Sequence, residues 1–120
     1  MKGCLYLIPN TLGNQNHTIT IPSGIHEQIR SVGVFIVENL RNARRYLKKL
    51  NQSIDIDRLT FYELNEHTHR DEIPTFLEHA LKGSDTAIIS EAGVPAVADP
   101  GSTVVRLAHE RGIRLTHQRW

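Results

Sequence analysis

The chain has 120 residues, of which 39% are hydrophobic and 22% are charged, and its formal net charge is +1. A single domain with a real core is the natural expectation at this length. The near-neutral net charge excludes a strongly acidic or basic protein. Evidence for a nucleic-acid partner must therefore come from local clustering of charge. The single cysteine excludes an intrachain disulfide.

The first residues contain only a short apolar run and lack the features of a signal peptide. No window of the sequence approaches the roughly 20 apolar residues that a membrane-spanning helix needs. We therefore expect a cytoplasmic protein without a membrane partner.

Short apolar runs alternate along the chain with segments of helical period. Apolar and polar residues do not alternate strictly within the apolar runs. These runs occupy residues 4–8, 34–37, 59–62, 86–89 and 113–115. The helical segments occupy residues 23–31, 40–50, 71–82 and 103–111. Asn39 and Asp71 are suitable N-caps, and Gly83 and Gly112 follow two of the predicted helices.

This order predicts the fold class. Apolar runs of this kind are typical of strands covered on both faces. Strict alternation of strand and helix favours right-handed βαβ units, and so an α/β fold with a mostly parallel five-stranded sheet and helices on both faces. In such sheets ligands bind at the carboxyl ends of the strands, so the loops after the first four strands are the candidate site.

The loop at residues 90–102 follows the fourth predicted strand and is rich in small and rigid residues. Gly93 allows a close approach of the backbone to a ligand, and Pro95 and Pro100 stiffen the path. Such a loop presents backbone donors and acceptors, which suits a nucleoside or an amino acid. It lacks the glycine pattern of a dinucleotide site and the lysine of a Walker loop. A tight strand-to-helix connection without a ligand is the alternative.

This loop resembles the S-D-A-G-T-P-x-x-x-D-P-G signature of the ribosomal RNA 2′-O-methyltransferases in the tetrapyrrole methylase superfamily. Seven positions match: Ser90, Ala92, Gly93, Pro95, Asp99, Pro100 and Gly101. Two positions depart, because Glu91 replaces Asp and Val94 replaces Thr. The resemblance implies that the loop holds S-adenosylmethionine (SAM) through Ala92, Gly93, Val94, Pro95 and Asp99.

The loop after the first strand is similar to the family's P-T-P-I-G-N. Pro9, Gly13 and Asn14 match, whereas Asn10 and Thr11 do not. The resemblance adds Pro9 and Gly13 to the predicted cofactor-binding residues. An ordinary turn is the alternative interpretation.

The loops after the second and third strands carry the predicted catalytic residues. Glu38 and Arg41 match the family's E-D-T-R, and Asn65 and Glu66 match its H-N-E. Leu64 stands where the family has His. The two glutamates are the carboxylates we consider for deprotonating or orienting a methyl acceptor.

The four motifs occur in family order, so the chain is identified as a member of the tetrapyrrole methylase-like superfamily, close to its ribosomal RNA branch. The resemblance implies that residues 1–115 form the family's N-terminal α/β domain and residues 116–120 a tail, with the family's second domain absent. It implies a SAM-dependent methyltransferase acting on ribosomal RNA. Methylation of a corrin or porphyrin is an alternative.

Two further alternatives come from charged residues. His67 and His69 form an H-x-H pair that could contribute to a metal site, but a solvated loop is favoured and no metal is predicted. The predicted helix at 40–50 carries Arg41, Arg44, Arg45, Lys48 and Lys49. These could face RNA phosphates, even in a non-catalytic binding module, or form the solvated face of an amphipathic helix.

The predicted edge of the sheet after the fifth strand and the family resemblance lead to three further expectations. An uncovered edge favours pairing with a second copy, so we expect a homodimer. We expect a further segment of protein beyond Trp120, and weak SAM binding by the 120 residues alone, because relatives enclose SAM between two domains.

Overall fold

The computed structural model describes residues 2–9, 30–50, 52–90 and 101–117. Within them lies one five-stranded sheet in the order β3-β2-β4-β1-β5, and every neighbouring pair is parallel. The strands are β1 (Cys4–Pro9), β2 (Val34–Val37), β3 (Thr60–Glu63), β4 (Thr86–Ser90) and β5 (Arg114–His117). The predicted α/β fold is therefore confirmed.

Helices connect these strands. They are α1 (Leu40–Leu50), α2 (Ile73–Phe76), α3 (Glu78–Leu81) and α4 (Gly101–Glu110), with 3₁₀ turns at Ile56–Arg58 and Arg70–Glu72. Of the predicted helix at 23–31, only Arg30, which is helical, and Ser31, in a turn, lie within the described residues. None of the described helices is long and apolar enough to cross a membrane.

Each face of the sheet carries its own core, because successive residues of a strand point to opposite faces. On one face, α1 buries four residues, Ala43, Tyr46, Leu47 and Leu50, against a strand layer consisting of Ile8, Phe35, Val37, Ala87 and Ile89. We call this the α1-side core. On the other face, the α4-side core joins strand residues Leu5, Leu7, Ile36 and Ile88 to α2, α3 and α4. Helices thus cover both faces, as predicted.

The predicted helix at 71–82 differs from the structure. Residues 70–72 form a 3₁₀ turn, and two short helices follow that are separated at Leu77. Asp71 is not an N-cap; it lies inside the 3₁₀ turn, whose N-cap is His69. Pro74 has no amide proton, and Leu77 N–H donates to Pro74 O three residues back at 3.2 Å, which tightens the backbone there.

The predicted glycine ends of two helices are confirmed. Gly83 and Gly112 have φ values of 109° and 74°, the left-handed region that glycine enters without a Cβ clash. After Gly112, Ile113 N–H donates to Ala108 O at 2.9 Å, and Gly112 N–H donates to His109 O at 3.1 Å. This paired bonding is the Schellman motif, which satisfies the last carbonyls of α4 and turns the chain into β5.

The strand order defines a switch point at the centre of the sheet. β1 and β4 are neighbours, yet β1 continues to β2 on the far side of β4, and β4 continues to β5 on the far side of β1. The connections from these two strands therefore leave in opposite directions. In open parallel sheets, the crevice at the carboxyl ends of two such strands is the usual ligand site.

Candidate active site

An open groove of about 510 Å³ lies at the carboxyl ends of β2 and β3. Its lining combines two carboxylates, two guanidinium groups, one apolar side chain and two amides. The residues are Glu38, Asn39, Leu40, Arg41, Arg44, Glu63 and Asn65. Three of the four predicted catalytic residues, Glu38, Arg41 and Asn65, are thereby brought together.

The start of α1 fixes the β2 side of the groove. The side-chain Oδ1 of Asn39 accepts a hydrogen bond from Asn42 N–H at 3.0 Å, and its carbonyl accepts from Ala43 N–H at 3.0 Å. Asn39 is therefore the N-cap, as predicted, and it satisfies donors that the first turn leaves open. This cap holds Glu38 at the end of the strand and Arg41 in the first helical turn.

Leu40 lies between the groove and the core. Its half-buried side chain packs against the α1-side core and also lines the groove. The family has a polar residue at this position of its motif, whereas here an apolar side chain anchors the beginning of α1.

A compact turn fixes the β3 side of the groove. Asn65 N–H donates to Thr68 Oγ1 at 3.0 Å, and the same hydroxyl donates to Glu63 O at 3.2 Å. Asn65 Oδ1 accepts from His67 N–H at 2.9 Å. Because that oxygen is taken up by the turn, Asn65 can offer the groove its Nδ2 donor.

Leu64, where the family has His, does not face the groove. Its side chain is only 2% exposed and belongs to the α4-side core. Leu64 N–H donates to Val37 O at 2.7 Å, which extends the β2–β3 ladder beyond the strand ends. The alternation along this ladder explains why Glu63 and Asn65 line the groove while the residue between them is buried.

Two groove residues were absent from the predicted catalytic set. Glu63 is absent because the sequence predicts that the third strand ends one residue earlier, at 62, whereas β3 ends at Glu63. Arg44 had been assigned only to a basic helix surface, although it lies one helical turn after Arg41. In the structure its guanidinium carbon lies 5.7 Å from the centroid of the Phe61 ring, and that ring stacks on Phe35.

Glu66, the fourth predicted catalytic residue, is not among the groove's lining residues. Its carboxylate lies 3.6 Å from Nε2 of His67, and both side chains are strongly exposed, at 85% and 84%. Within the described part of the chain, no group of three or more His, Cys, Asp or Glu side chains could hold a metal ion.

The predicted cofactor loops begin at the switch point. Pro9, the last residue of β1, pairs in register with Ser90, the last residue of β4. The other predicted cofactor-binding residues lie outside the described residues: Gly13, Ala92, Gly93, Val94, Pro95 and Asp99. Because β2 neighbours β4 and adjacent strands are about 5 Å apart, the groove begins one strand away from this crevice.

Comparison with known proteins identifies proteins of similar sequence. No protein-family model matches the chain. Proteins named Ribosomal RNA small subunit methyltransferase I are similar to it across nearly its whole length. The protein from Leptospira biflexa is 31% identical over 114 residues, which are 95% of this chain and 44% of that protein. The protein from Micromonospora olivasterospora is 36% identical over 113 residues, or 93% of this chain and 33% of that protein.

The chain is a homologue of these methyltransferases. The relative from Escherichia coli O157:H7, 27% identical over 95% of the chain, extends the relationship to a third bacterium. The resemblance inferred from the four motifs is thereby confirmed. The chain spans between a third and just under a half of the length of these curated relatives.

Proposed function

We propose that this chain forms the cofactor-side part of a SAM-dependent methyltransferase site that acts on ribosomal RNA. The observation that carries the proposal is its similarity, over 93–95% of its length, to proteins named as ribosomal RNA methyltransferases. The groove beside the β1–β4 crevice supports it, because it brings Glu38 and Arg41, from the end of β2 and the start of α1, together with Asn65, from the turn after β3.

The topology of the sheet fits the cofactor. The crevice between β1 and β4 is the switch point where an open parallel sheet takes a nucleoside-like ligand, and both predicted SAM loops start there. SAM, when bound, would supply a methyl carbon that its sulfonium group makes electrophilic. The task left to the protein is to position the acceptor and to manage its proton.

The groove's residues fit a ribose-phosphate acceptor. Glu38 and Glu63 can accept hydrogen bonds from ribose hydroxyls, and either can take the proton of the hydroxyl that is methylated. Arg41 and Arg44 can pair with the neighbouring phosphates, for which guanidinium groups are well suited. Asn65 offers an amide donor to the ribose oxygen. A corrin or porphyrin has carboxylates for the arginines but no ribose hydroxyls for the glutamates.

The cofactor assignment is tested by nuclear magnetic resonance with the 120-residue chain and millimolar SAM. We expect weak binding by these 120 residues, because they span less than half of the length of the relatives and offer the ligand correspondingly few contacts against the cost of ordering it. Amide shifts should change at the carboxyl ends of β1 and β4, at Ile8 and Ile89, and remain constant at Cys4 and Thr86. Absence of any change, or changes at the amino ends, would contradict the assignment.

The reaction is tested with a chimera in which this chain replaces the aligned 114 residues of the Leptospira biflexa relative. Labelled methyl from SAM should appear in small-subunit ribosomal RNA. Glu38→Gln should reduce kcat by about 10²-fold or more, the usual contribution of a general base. Glu110→Gln, an exposed change at the end of α4, serves as the control. Methyl found only on a small molecule would favour tetrapyrrole chemistry instead.

We propose in addition that the protein is cytoplasmic and forms a homodimer. A ribosomal RNA substrate supports the first assignment. The second is supported by the sheet edges, because within the described residues β3 pairs only with β2 and β5 only with β1.

A further inference from the structure

Helix α1 carries a surface of one charge sign. Five of its eleven residues are basic, and all five side chains are exposed: Arg41, Arg44, Arg45, Lys48 and Lys49. The helix contains no acidic residue, although the whole chain has 13 acidic and 14 basic residues. More than a third of the protein's positive charge is thus concentrated on one helix face, which we call the α1 basic face.

The α1 basic face consists of two rows. Arg44 and Lys48, one turn apart, are held against the β3 side. Arg44 lies over the Phe61 ring, and Lys48 Nζ donates to Ile54 O at 2.9 Å. The second row, formed by Arg41, Arg45 and Lys49 at intervals of four residues, extends over about 12 Å along the helix. Arg41 belongs to this row and to the groove lining.

This arrangement lowers the stability of the helix. Like charges four residues apart repel each other, and basic groups in the first turn oppose the helix dipole. Neither of the ion pairs found in the described part of the chain, Arg58–Asp55 and His67–Glu66, involves α1. A helix that only needed a solvated face would gain from mixed signs, so the uniform charge points to an anionic partner.

We propose that the α1 basic face is an RNA phosphate-binding surface that leads the acceptor strand into the groove. Arg45 and Lys49 contact phosphates away from the acceptor nucleotide, and Arg41 and Arg44 contact those beside it. RNA carries evenly spaced phosphates, which match a row of exposed cations along 12 Å better than a compact anion does. The inference rests on the proposed function, since it names the surface that receives the RNA substrate.

The test compares two charge-matched double variants of the full chain. Arg45→Gln with Lys49→Gln removes two charges from the α1 basic face without touching the groove. Lys82→Gln with Arg106→Gln removes two exposed charges from the segment between α3 and β4 and from α4, which packs on the other side of the sheet. Binding of a fluorescently labelled hairpin from small-subunit ribosomal RNA is measured by anisotropy over a series of salt concentrations.

The first pair should reduce the slope of log Kd against log salt concentration by about 1.5, roughly 0.7–0.9 for each lost phosphate contact. The second pair should leave the slope unchanged. Thermal unfolding separates binding from folding, because relief of repulsion in α1 should leave the melting temperature equal or higher while RNA binding weakens. Equal slopes for both pairs would overturn the proposal, as would competition by polyglutamate as effective as that by unlabelled RNA.

The SAM titration of the same variants distinguishes this inference from the proposed function. One outcome is that SAM shifts the amide signals of Ile8 and Ile89 while both double variants keep the wild-type salt slope. In that case the α1 basic face does not bind RNA, and the proposed function stands. If SAM shifts no amide signal and only the Arg45→Gln, Lys49→Gln variant shows a reduced salt slope, the chain binds RNA through α1 and the methyl-transfer assignment fails.

Discussion

Leu64 illustrates how one residue in a motif can have a structural role. The family resemblance places a His at this position between two residues of the candidate site. In this chain the residue is 2% exposed in the α4-side core, between the groove residues Glu63, which ends β3, and Asn65. The departure from the family pattern is therefore accommodated by the core and removes no side chain from the groove.

Replacement of Leu64 by the family's His should consequently harm the protein. Loss of apolar burial together with an unpartnered imidazole should lower the free energy of unfolding by about 2–4 kcal/mol. Burial lowers the pKa of such a His, so the folded protein holds it neutral. The remaining stability should then fall as pH decreases below about 6.5, the unfolded-state pKa. Urea unfolding at several pH values measures both effects.

Leu64→Gln is the matched control, since it introduces a polar side chain of similar size that does not titrate. It should show a comparable loss of stability without the additional fall below pH 6.5. A Leu64→His protein as stable as the wild type would mean that position 64 is not part of the core.

The ends of the strands alone determine where three of the four predicted catalytic residues lie. Glu38, Arg41 and Asn65 follow β2 and β3, and parallel strands end at one edge, so their convergence in one groove could be predicted. Glu63 and Arg44 could not be assigned with the same rule. Their positions depend on the last residue of β3 and on the rotational phase of α1, and a shift of one residue changes both.

Among the elements, α1 has the bounds that its sequence predicts, because an Asn cap and a strong apolar stripe define it. The segment between β3 and β4 has an equally clear stripe, yet it contains Pro74, and the structure breaks it into a 3₁₀ turn and two short helices. The apolar pattern predicted which face is buried. The pattern did not predict the backbone conformation, because a 3₁₀ turn and two short helices can bury the same face as one continuous α-helix.

Gly3 shows how closely two elements approach before β1. Its amide donates to Ala80 O in α3 at 2.7 Å, and a Cβ on Gly3 would overlap the carbonyl oxygen of Ser84. Backbone cannot move aside as a flexible side chain can. Gly3→Ala should therefore lower the free energy of unfolding by about 1–3 kcal/mol.

Gly33→Ala provides the control, because a Cβ at Gly33 meets nothing within 4 Å among the described atoms. The free energy of unfolding of this variant should lie within about 0.5–1 kcal/mol of the wild-type value. Alanine restricts the unfolded chain, and this offsets small losses in the folded state. Equal effects in the two variants, measured by urea denaturation, would contradict the close packing between β1 and the turn before β4.

At the scale of the whole molecule, the outer edges of β3 and β5 bind no further strand within the described residues. Unpaired edges favour association with another chain. We expect sedimentation velocity to show a concentration-dependent dimer at tens of micromolar. A single monomeric species across that range would count against self-association.

The position of β4 has a consequence for how the protein folds. β4 lies between β1 and β2, which do not pair with each other, and Cys4 and Asp85, joined by a hydrogen bond at the β1–β4 boundary, are 81 residues apart. The central ladders therefore form only after most of the chain is available. Such non-local pairing slows folding, because a long loop must close before its contacts are gained. During synthesis, β1 cannot pair with β4 until the chain has reached Ser90, three-quarters of its 120 residues, so the apolar residues of β1 stay exposed until then.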